Sequence, residues 1–321
     1  MRIALYKDSL ANGRGADVAV QALAAGLRER GYRATLFEKG ELAARLKEHW
    51  DVVVSAGTNE LLDLAAAFPH GFPWPVVQQF HTNPRSQFKR KRLIRNWRIR
   101  RALRRVAAIQ VLADAFRRQV SKYGPPVTVI GNWSELAHRI RDLKDVERGA
   151  HAIIYPAAFG GRKNHELLIR AFASLQDEFP DWTLELYGRG TPPANLPPRV
   201  KCMGYCNIEN AYRRCAFVAF PSLDEGFPLS LVEAAAFARP AVAVADWIGV
   251  AAAGGGIVTA PTVPAYAQAL RRLMSDSALR ADMGEQARRF CQASFAREKI
   301  LDAWSRLLDA LCGNWNATDR A

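Results

Sequence analysis

The stretch Phe220-Pro-Ser-Leu-Asp-Glu-Gly-Phe-Pro-Leu-Ser-Leu-Val-Glu233 decides the fold. The apolar run before it, Ala216-Phe-Val-Ala-Phe220, has the length of a buried strand. The residues after it, Leu229 to Ala238, are rich in helix formers, and Pro228 stands where a proline suits a first helical turn. We therefore expect a strand, a loop and a helix, with the loop at the carboxyl edge of an open α/β sheet, where ligands bind.

The loop and the helix start carry groups that suit a phosphate-bearing ligand. Gly226 allows the backbone to approach a ligand closely, and the free amides of a helix start attract phosphate. The residues that we expect to bind in this way are Gly226, Phe227, Pro228, Leu229 and Ser230. Glu225 would lie in the loop and Glu233 about one turn into the helix. The two carboxylates would then reach one ligand at different heights, one near the phosphates and one toward a ribose.

This motif resembles that of a known enzyme family. Glu225 and Glu233, with Gly-Phe-Pro-Leu-Ser-Leu-Val between them, resemble the paired glutamates of retaining glycosyltransferases of the group 1 type (family 4). Two acids eight positions apart on a helical turn are, by themselves, usually a solvated face. The flanking Pro-Ser before them and Glu-Ala-Ala-Ala-Phe-Ala-Arg-Pro-Ala-Val-Ala-Val after them favour the family motif instead.

The fold class expected is α/β. Strands such as Ile3–Tyr6, Ala34–Phe37 and Asp51–Ser55 alternate with helical segments, which predicts a parallel, doubly wound sheet. The resemblance implies two such Rossmann-like domains facing across a cleft, the GT-B fold. We place an acceptor-side domain at 1–145 and a nucleotide-sugar-binding domain at 146–295, and we interpret the polar, charged run Ser134–Gly149 as a linker with a short helix. The chain then ends, over 296–321, in a helix that returns to the first domain through Ala303, Leu307 and Leu311, with a loose tail from Asn314.

A basic loop in the second domain is the candidate diphosphate site. Gly160-Gly-Arg-Lys-Asn164 lies between the strand Ala152–Tyr155 and a helix over His165–Leu175, so Arg162 and Lys163 stand beside a helix start. Lys163 matches the lysine of the family, although an ordinary surface lysine would give the same pattern. The family usually has an arginine about five residues earlier, where this chain has Ala158.

Six further positions are assigned on the resemblance. Gly188, Gly204 and Tyr205 stand where the family packs its nucleotide, although each also fits a simple turn. His81 ends the strand predicted over Val76–Thr82, where the family places a histidine that faces the donor sugar and the diphosphate. A lone histidine is more often structural than catalytic, so the expected role is hydrogen bonding rather than obligate base catalysis. The Gly13/Gly15 loop after the first strand resembles the family's glycine-rich loop and equally fits a tight turn.

The basic stretch 88–106 carries most of the net charge of +14, because ten cations occur there without an acid. Three interpretations stay open: a helix on an anionic bilayer or phosphorylated glycan, an ordinary solvated helix covering the sheet, and a nucleic-acid surface. We favour the first and expect no nucleic-acid partner, since no binding fold or stacking platform is recognisable. The cations assigned to the membrane or an anionic acceptor are Lys89, Arg90, Lys91, Arg92, Arg95, Arg98 and Arg101.

Composition narrows the remaining classes. No window of 18 or more residues lacks charge or proline, and charges occupy the amino terminus where a signal peptide needs its apolar core. The five cysteines form no even framework, which suits a reducing compartment. We therefore expect a cytoplasmic protein, peripheral on the inner face of the plasma membrane. Without an Asp-x-Asp pair, we also expect no metal and no cofactor.

The function expected is transfer of a sugar from a nucleotide sugar, with UDP as the expected nucleotide, to a cell-envelope glycan or glycolipid such as lipopolysaccharide. The resemblance implies retention of configuration by a front-face mechanism, in which the leaving phosphate helps to deprotonate the acceptor. Two alternatives remain: a weak or inactive relative that binds anionic glycan or membrane, and a nucleic-acid-binding protein that uses the basic stretch.

Overall fold

The structure, a computed structural model, describes residues 1–11, 15–88, 91–140, 143, 146–147 and 151–318, with the backbone alone over 314–318. The chain forms two compact units. The first contains Met1–Asn132 and the chain from Arg297 onward, and the second contains Trp133–Ala296. Each unit is built on its own six-stranded parallel sheet, which confirms the expected pair of doubly wound α/β domains.

The first sheet is formed by β1 (Arg2–Tyr6), β2 (Arg33–Phe37), β3 (Val52–Ser55), β4 (Val76–Gln79), β5 (Ala108–Val111) and β6 (Val127–Val129). Its strand order is β2-β1-β3-β4-β5-β6. The helices between these strands are α1 (Gly15–Glu29), α2 (Leu42–Arg45), α3 (Thr58–Ala67), α4 (Pro84–Gln87), α5 (Leu93–Leu103) and α6 (Asp114–Val120). The apolar face of α5, through Ile99, Ala102 and Leu103, packs into the core of this unit.

The last helix, α13 (Arg297–Thr318), belongs to the first unit. Its buried residues are Ile300, Leu301, Trp304 and Leu308, whereas the predicted contact residues Ala303, Leu307 and Leu311 are only half-buried. Gly26 makes the close approach possible, because a Cβ there would lie 2.7 Å from a Leu301 methyl carbon. The predicted loose tail is wrong for 314–318, which continue the helix, and residues 319–321 lie outside the described part.

The second sheet is formed by β7 (Ala152–Pro156), β8 (Thr183–Tyr187), β9 (Val200–Gly204), β10 (Phe217–Phe220), β11 (Ala241–Ala243) and β12 (Gly256–Val258). Its order, β12-β11-β10-β7-β8-β9, is that of a dinucleotide-binding Rossmann sheet. Its helices are α7 (Glu135–Arg139), α8 (His165–Ala173), α9 (Glu209–Arg214), α10 (Leu229–Ala236), α11 (Val263–Ser275) and α12 (Ser277–Phe295). The strand and helix expected around the central stretch are therefore β10 and α10.

The boundary between the units comes earlier than the predicted linker. Residues 134–149 were expected to join two domains, but α7 within them packs against α10 of the second unit. The polar composition of this segment concealed that contact, because a helix of five residues buries little apolar surface. In the part of the chain that the structure describes, no helix is both long enough and apolar enough to cross a bilayer.

Candidate functional site

In the second sheet, the direction in which successive strands are added reverses between β7 and β10. Strands β7, β8 and β9 succeed each other on one side of this point, and β10, β11 and β12 on the other. Because all the strands are parallel, the loops that follow β7 and β10 leave the same edge in opposite directions. Ligands of open α/β sheets bind in the crevice that such a divergence creates.

Hydrogen bonds join these two loops. The Lys163 ammonium donates to Glu225 Oε1 at 2.5 Å, and the Leu223 amide donates to the Arg162 carbonyl at 2.9 Å. The Tyr155 hydroxyl donates to the Lys163 carbonyl at 2.8 Å and shares a 2.7 Å hydrogen bond with the Ser222 hydroxyl. The structure therefore brings together Lys163 and Glu225, two residues that lie 62 positions apart in the sequence.

The two basic residues of the β7 loop differ in their surroundings. Lys163 is 30% exposed and Glu225 is 11% exposed, so their ion pair is partly shielded from water. Arg162 is 72% exposed and pairs with Asp224 at 3.3 Å. Exposed pairs contribute little to stability, whereas a shielded pair keeps its charges in a defined position. Lys163 is therefore the better placed of the two for a ligand in the crevice.

Glu233 lies on α10 and is held by two hydroxyl groups. Ser134 donates to Glu233 Oε1 at 2.8 Å, and Tyr212 donates to Oε2 at 3.1 Å. Burial raises the pKa of the Glu233 carboxyl, and the two hydrogen bonds oppose this shift by stabilising the carboxylate. The carboxylate is thus fixed in orientation on the helix that begins beside Glu225.

The start of α10 presents backbone rather than side chains. Gly226, Phe227 and Pro228 are buried, and the Phe227 ring packs edge-on against Phe295 with 5.0 Å between ring centroids. Leu229 and Ser230, which open the helix, are half-buried. Pro228 is the residue that caps the helix and does not lie in its first turn, which corrects the sequence prediction. Any contact of Phe227 with a ligand would come from its amide, because its ring belongs to the core.

Two glycines predicted to lie near the nucleotide meet at the same edge of the sheet. The Gly188 amide donates to the Gly204 carbonyl at 2.9 Å. A Cβ at Gly188 would lie 2.1 Å from the Ala157 carbonyl oxygen, and Gly204 has a φ of 71°, in the left-handed region. The Tyr205 ring is exposed and lies under the Arg189 guanidinium, 4.0 Å from its centroid. Backbone packing therefore requires Gly188, while Tyr205 offers an open aromatic face.

His165, the first residue of α8, lies beneath the β7 loop. It packs between the rings of Tyr155 and Phe159, with centroid distances of 4.8 and 4.7 Å. Burial, reinforced by the charge of Lys163, lowers the pKa of His165 to about 4. The imidazole is thus neutral near pH 7 and supports the loop as an uncharged ring.

His81 of the first unit lies two residues beyond β4, because the strand ends at Gln79 rather than at the predicted His81. Both ring nitrogens are buried and have no hydrogen-bond partner among the described residues. Burial lowers the pKa of His81 to about 3, and the positive charge of Lys7 adds to the effect. A neutral imidazole with two unused nitrogens is suited to hydrogen bonding and not to general acid catalysis near neutral pH.

The remaining site predictions of the first unit have different outcomes. Gly13, Lys89 and Arg90 lie outside the described residues, and Gly15 is the exposed first residue of α1. Lys91, Arg92 and Arg98 are exposed, and the Arg101 guanidinium lies over the Trp97 ring at 5.7 Å. Arg95 is different, because its head donates to Thr58, Asn59 and the Gln87 carbonyl. It ties α5 to α3 and is not a free surface cation.

Several residues of the site were missed by the sequence analysis. Ser134 and Tyr212, which orient Glu233, come from segments far from it in the chain, and no local pattern marks them. Ser222 lies in the stretch from Phe220 to Glu233, but its hydrogen-bond partner Tyr155 has no feature in the sequence that distinguishes it from other strand residues. Lys7 forms a shielded pair with Glu60 at 2.7 Å, and neither residue had been singled out. Among the described residues, no three His, Cys, Asp or Glu side chains are grouped as metal ligands.

Comparison with known proteins supports this assignment of elements. Residues 150–276 match the family model described as Glycosyl transferases group 1. The resemblance to that family is therefore confirmed, and it is carried by the second unit.

Two curated relatives match over about half of the chain. One is the lipopolysaccharide core biosynthesis mannosyltransferase LpcC of Rhizobium leguminosarum bv. viciae, 30% identical over 173 residues, which are 48% of this chain and 49% of that protein. Another is the exopolysaccharide phosphotransferase SCO2592 of Streptomyces coelicolor, 30% identical over 175 residues, 50% of this chain and 18% of that protein. The chain thus spans less than half the length of the curated relatives that it matches.

Solved structures match nearly the whole chain. Sucrose-phosphate synthase of Thermosynechococcus elongatus gives a TM-score of 0.81 at 17% identity, covering 98% of this chain and 100% of that one. The Anabaena protein HepE, in complex with UDP and glucose, gives a TM-score of 0.78 at 18% identity, covering 97% and 100%. At these identities the likeness establishes the fold, which is that of the GT-B glycosyltransferases.

Proposed function

We propose that this chain, whose second unit matches the group 1 glycosyltransferases, is a retaining glycosyltransferase. Its donor would be a nucleotide sugar, with UDP as the nucleotide, and its acceptor a cell-envelope glycan or glycolipid such as lipopolysaccharide. The observation that carries the proposal is the Lys163–Glu225 pair. It joins the loops after β7 and β10, at the point where the strand order of the sheet reverses.

The pair supplies the two charges that such a donor needs. Lys163 would neutralise the diphosphate as it leaves, together with backbone amides at the start of α10. Glu225 would accept hydrogen bonds from donor-sugar hydroxyls, and Glu233 from the ribose. Binding of a diphosphate would draw Lys163 from its present partner, since two phosphate groups carry more charge than one carboxylate.

The donor and acceptor classes rest on the relatives. HepE holds UDP and glucose, and LpcC is described as a lipopolysaccharide core mannosyltransferase. The retaining, front-face course and the role of His81 as a hydrogen-bond donor to the sugar are extended from the family. Arg162 is placed to support the diphosphate from the exposed side, where the usual arginine is replaced by Ala158.

The direct test is turnover of UDP-sugars by a Glu225→Gln variant. We expect UDP-sugar hydrolysis and transfer to fall by about 100-fold or more, since the lost carboxylate acts at the reacting sugar. Glu178→Gln is the matched control, because Glu178 is an acid of the same unit that pairs with exposed Arg271. A Glu225→Gln enzyme as fast as the parent would refute the assignment.

Binding is tested separately through Lys163. Lys163→Met should weaken UDP affinity by about tenfold or more, because it removes a charge-assisted contact to the diphosphate. The control is Lys201→Met, which removes an exposed lysine from β9. Tight UDP binding with no turnover of any sugar would instead support the alternative of an inactive relative.

We also propose that α5 docks on anionic membrane. Leu93, Ile94 and Trp97 are 75%, 79% and 58% exposed, and they lie among exposed cations. The opposite face of α5 is buried in the core, so the helix covers the sheet and also presents a second apolar surface. Helices of this kind lie in the interface of anionic bilayers.

Sedimentation with vesicles tests the docking proposal. We expect binding to phosphatidylglycerol vesicles and not to phosphatidylcholine vesicles, with binding reduced in a Leu93→Ser/Trp97→Ser variant. Val18→Ser/Leu223→Ser is the control, because it removes exposed apolar side chains elsewhere. Equal binding by both variants would contradict a role for α5.

A further inference from the structure

A basic cavity in the first unit is lined by none of the seven cations assigned to a membrane or an anionic acceptor, although Phe88 and Arg100 of its wall belong to the basic stretch 88–106. It has a volume of about 520 Å³ and is lined by residues of α4, α5 and α6 and of the segments next to them. Four cations line it, Arg85, Arg100, Arg118 and Lys122. None of the described residues lining it is acidic.

The four cations are available to a ligand. All four are exposed, and none pairs with a carboxylate in the part of the chain that the structure describes. Arg117, the neighbour of Arg118, shows the contrast, because its guanidinium pairs with Asp114 and donates to the Val127 carbonyl. Four positive side chains around one cavity repel each other, so an anion placed among them gains attraction without having to break an ion pair.

Two aromatic residues form part of the cavity wall. Phe88 and Tyr123 stack with 5.7 Å between their ring centroids, and both line the cavity. The Arg100 guanidinium lies 5.8 Å from the Phe88 centroid, and the Lys122 ammonium lies 5.6 Å from that of Tyr123. These contacts hold the two cations at the rim without using their hydrogen-bond donors.

We propose that this cavity is a binding site for a sugar phosphate. Guanidinium groups match the oxygens of a phosphate in a forked geometry, and three of the four cations are arginines. Phe88 and Tyr123 give the cavity an apolar part of its wall, against which the C–H groups of a sugar can pack. Their ring faces themselves lie against each other and under Arg100 and Lys122. The volume lies within the range of small-molecule sites and suits a sugar of one or two rings.

This site is separate from the nucleotide site of the second unit and from the apolar face of α5. The exposed residues Leu93, Ile94 and Trp97 are not among those lining the cavity. The proposal concerns binding and does not depend on the transfer reaction. If the chain is a transferase, the ligand class that this cavity would bind is a phosphorylated glycan.

The test is calorimetric titration of the full chain with glucose 6-phosphate at low salt, with UDP present to fill the nucleotide site. We expect saturable binding that glucose does not reproduce and that weakens as salt is added. Arg118→Glu/Lys122→Glu should reduce the affinity by about tenfold or more, because two attractive charges become repulsive. The matched control, Arg33→Glu/Lys47→Glu, reverses two exposed cations that do not line the cavity and should bind like the parent.

Other results would overturn the proposal. These are no binding of glucose 6-phosphate to the parent, equal binding by the pocket and control variants, or equal binding of glucose. Preference for a single-stranded oligonucleotide over the sugar phosphate, or binding only to phosphatidylglycerol vesicles, would likewise assign the cavity to another partner. If the double reversal does not fold, Arg118→Gln/Lys122→Gln replaces it, with the affinity still expected to fall.

Discussion

Gly188 is the residue at which backbone packing near the proposed site is tightest. A Cβ there would meet the carbonyl oxygen of Ala157 at 2.1 Å, and a backbone carbonyl in a strand-end loop cannot rotate away. Gly188→Ala should therefore lower the free energy of unfolding by about 3 kcal/mol, as overpacking does.

Urea unfolding of Gly188→Ala and Gly160→Ala checks this prediction. Gly160 has extended backbone and open space around its Cβ position, so its substitution should change stability by about 0.5 kcal/mol or less. Equal stability of the two variants would mean that the Ala157 carbonyl can move aside.

His165 makes the stability of the second unit sensitive to pH. Its folded-state pKa of about 4 is below the usual value of 6.5, so the folded protein takes up this proton less readily than the unfolded chain. The stability associated with the neutral ring is complete above pH 6.5 and is lost as the pH falls toward about 4.

Urea midpoints measured from about pH 7 to about pH 4.5 test this effect. His165→Gln should flatten the decrease over that range, even though carboxylates contribute to acid unfolding in both proteins. His138→Gln is the control, because His138 is a half-exposed histidine of the same unit. Parallel curves for parent and His165→Gln would contradict the assignment.

At this scale the sequence could mark positions but not partners. Glu225 and Glu233 were found because they belong to a motif with fixed spacing, and Lys163 was found because a basic loop precedes a helix start at the position of the family's lysine. The pairing of Lys163 with Glu225 depends on the adjacency of β7 and β10, which no local pattern specifies. Ser134 was assigned to a linker because a short polar helix has no apolar stripe to reveal its contact.

Among the elements, α13 depends most on a single side chain. Trp304 lies on the buried face of α13 and is 1% exposed. Leu301, on the same helix, packs against Gly26 of α1. Trp304→Ala should destabilise the first unit by about 4 kcal/mol, because it leaves a large cavity.

Thermal unfolding followed by circular dichroism measures the effect of Trp304→Ala. Arg306→Ala, on the exposed face of the same helix, should unfold at nearly the parent temperature. A small shift for Trp304→Ala would show that α13 adds little to the unit.

Strands and long helices were predicted well, and helix faces less well. Apolar runs locate β1, β7 and β10 to within a residue, since a parallel strand is buried on both faces. The face of α13 was assigned to Ala303, Leu307 and Leu311, but Trp304 and Leu308 are buried instead. Several registers of apolar residues fit one long helix, and only the surface of its partner selects among them.

For the whole molecule, the described residues around the proposed diphosphate site include no carboxylate cluster of the kind that binds Mg²⁺. Lys163 and the start of α10 would supply the positive charge in its place. UDP affinity and sugar transfer should therefore be unchanged by EDTA. Loss of either on chelation, with recovery on adding Mg²⁺, would refute a site based on lysine and helix amides.

The alternation of strands and helices, together with the family resemblance, predicted two units, but it did not predict the position of the boundary between them. Composition placed the change at residue 145, whereas the contacts of α7 place it at Asn132. Sequence patterns indicate which residues of one helix or strand are buried. A boundary between two units depends instead on which unit each helix packs against, and the local pattern does not specify that.

The placement of α13 in the first unit has a consequence for folding during synthesis on the ribosome. The second unit is continuous from Trp133 to Ala296, so it can close as soon as its own strands have emerged from the exit tunnel. The unit translated first must wait, with the surface of α1 around Gly26 uncovered, until the last helix is released. Helix α13 is therefore the last part of the first unit to be made, after the whole of the second unit.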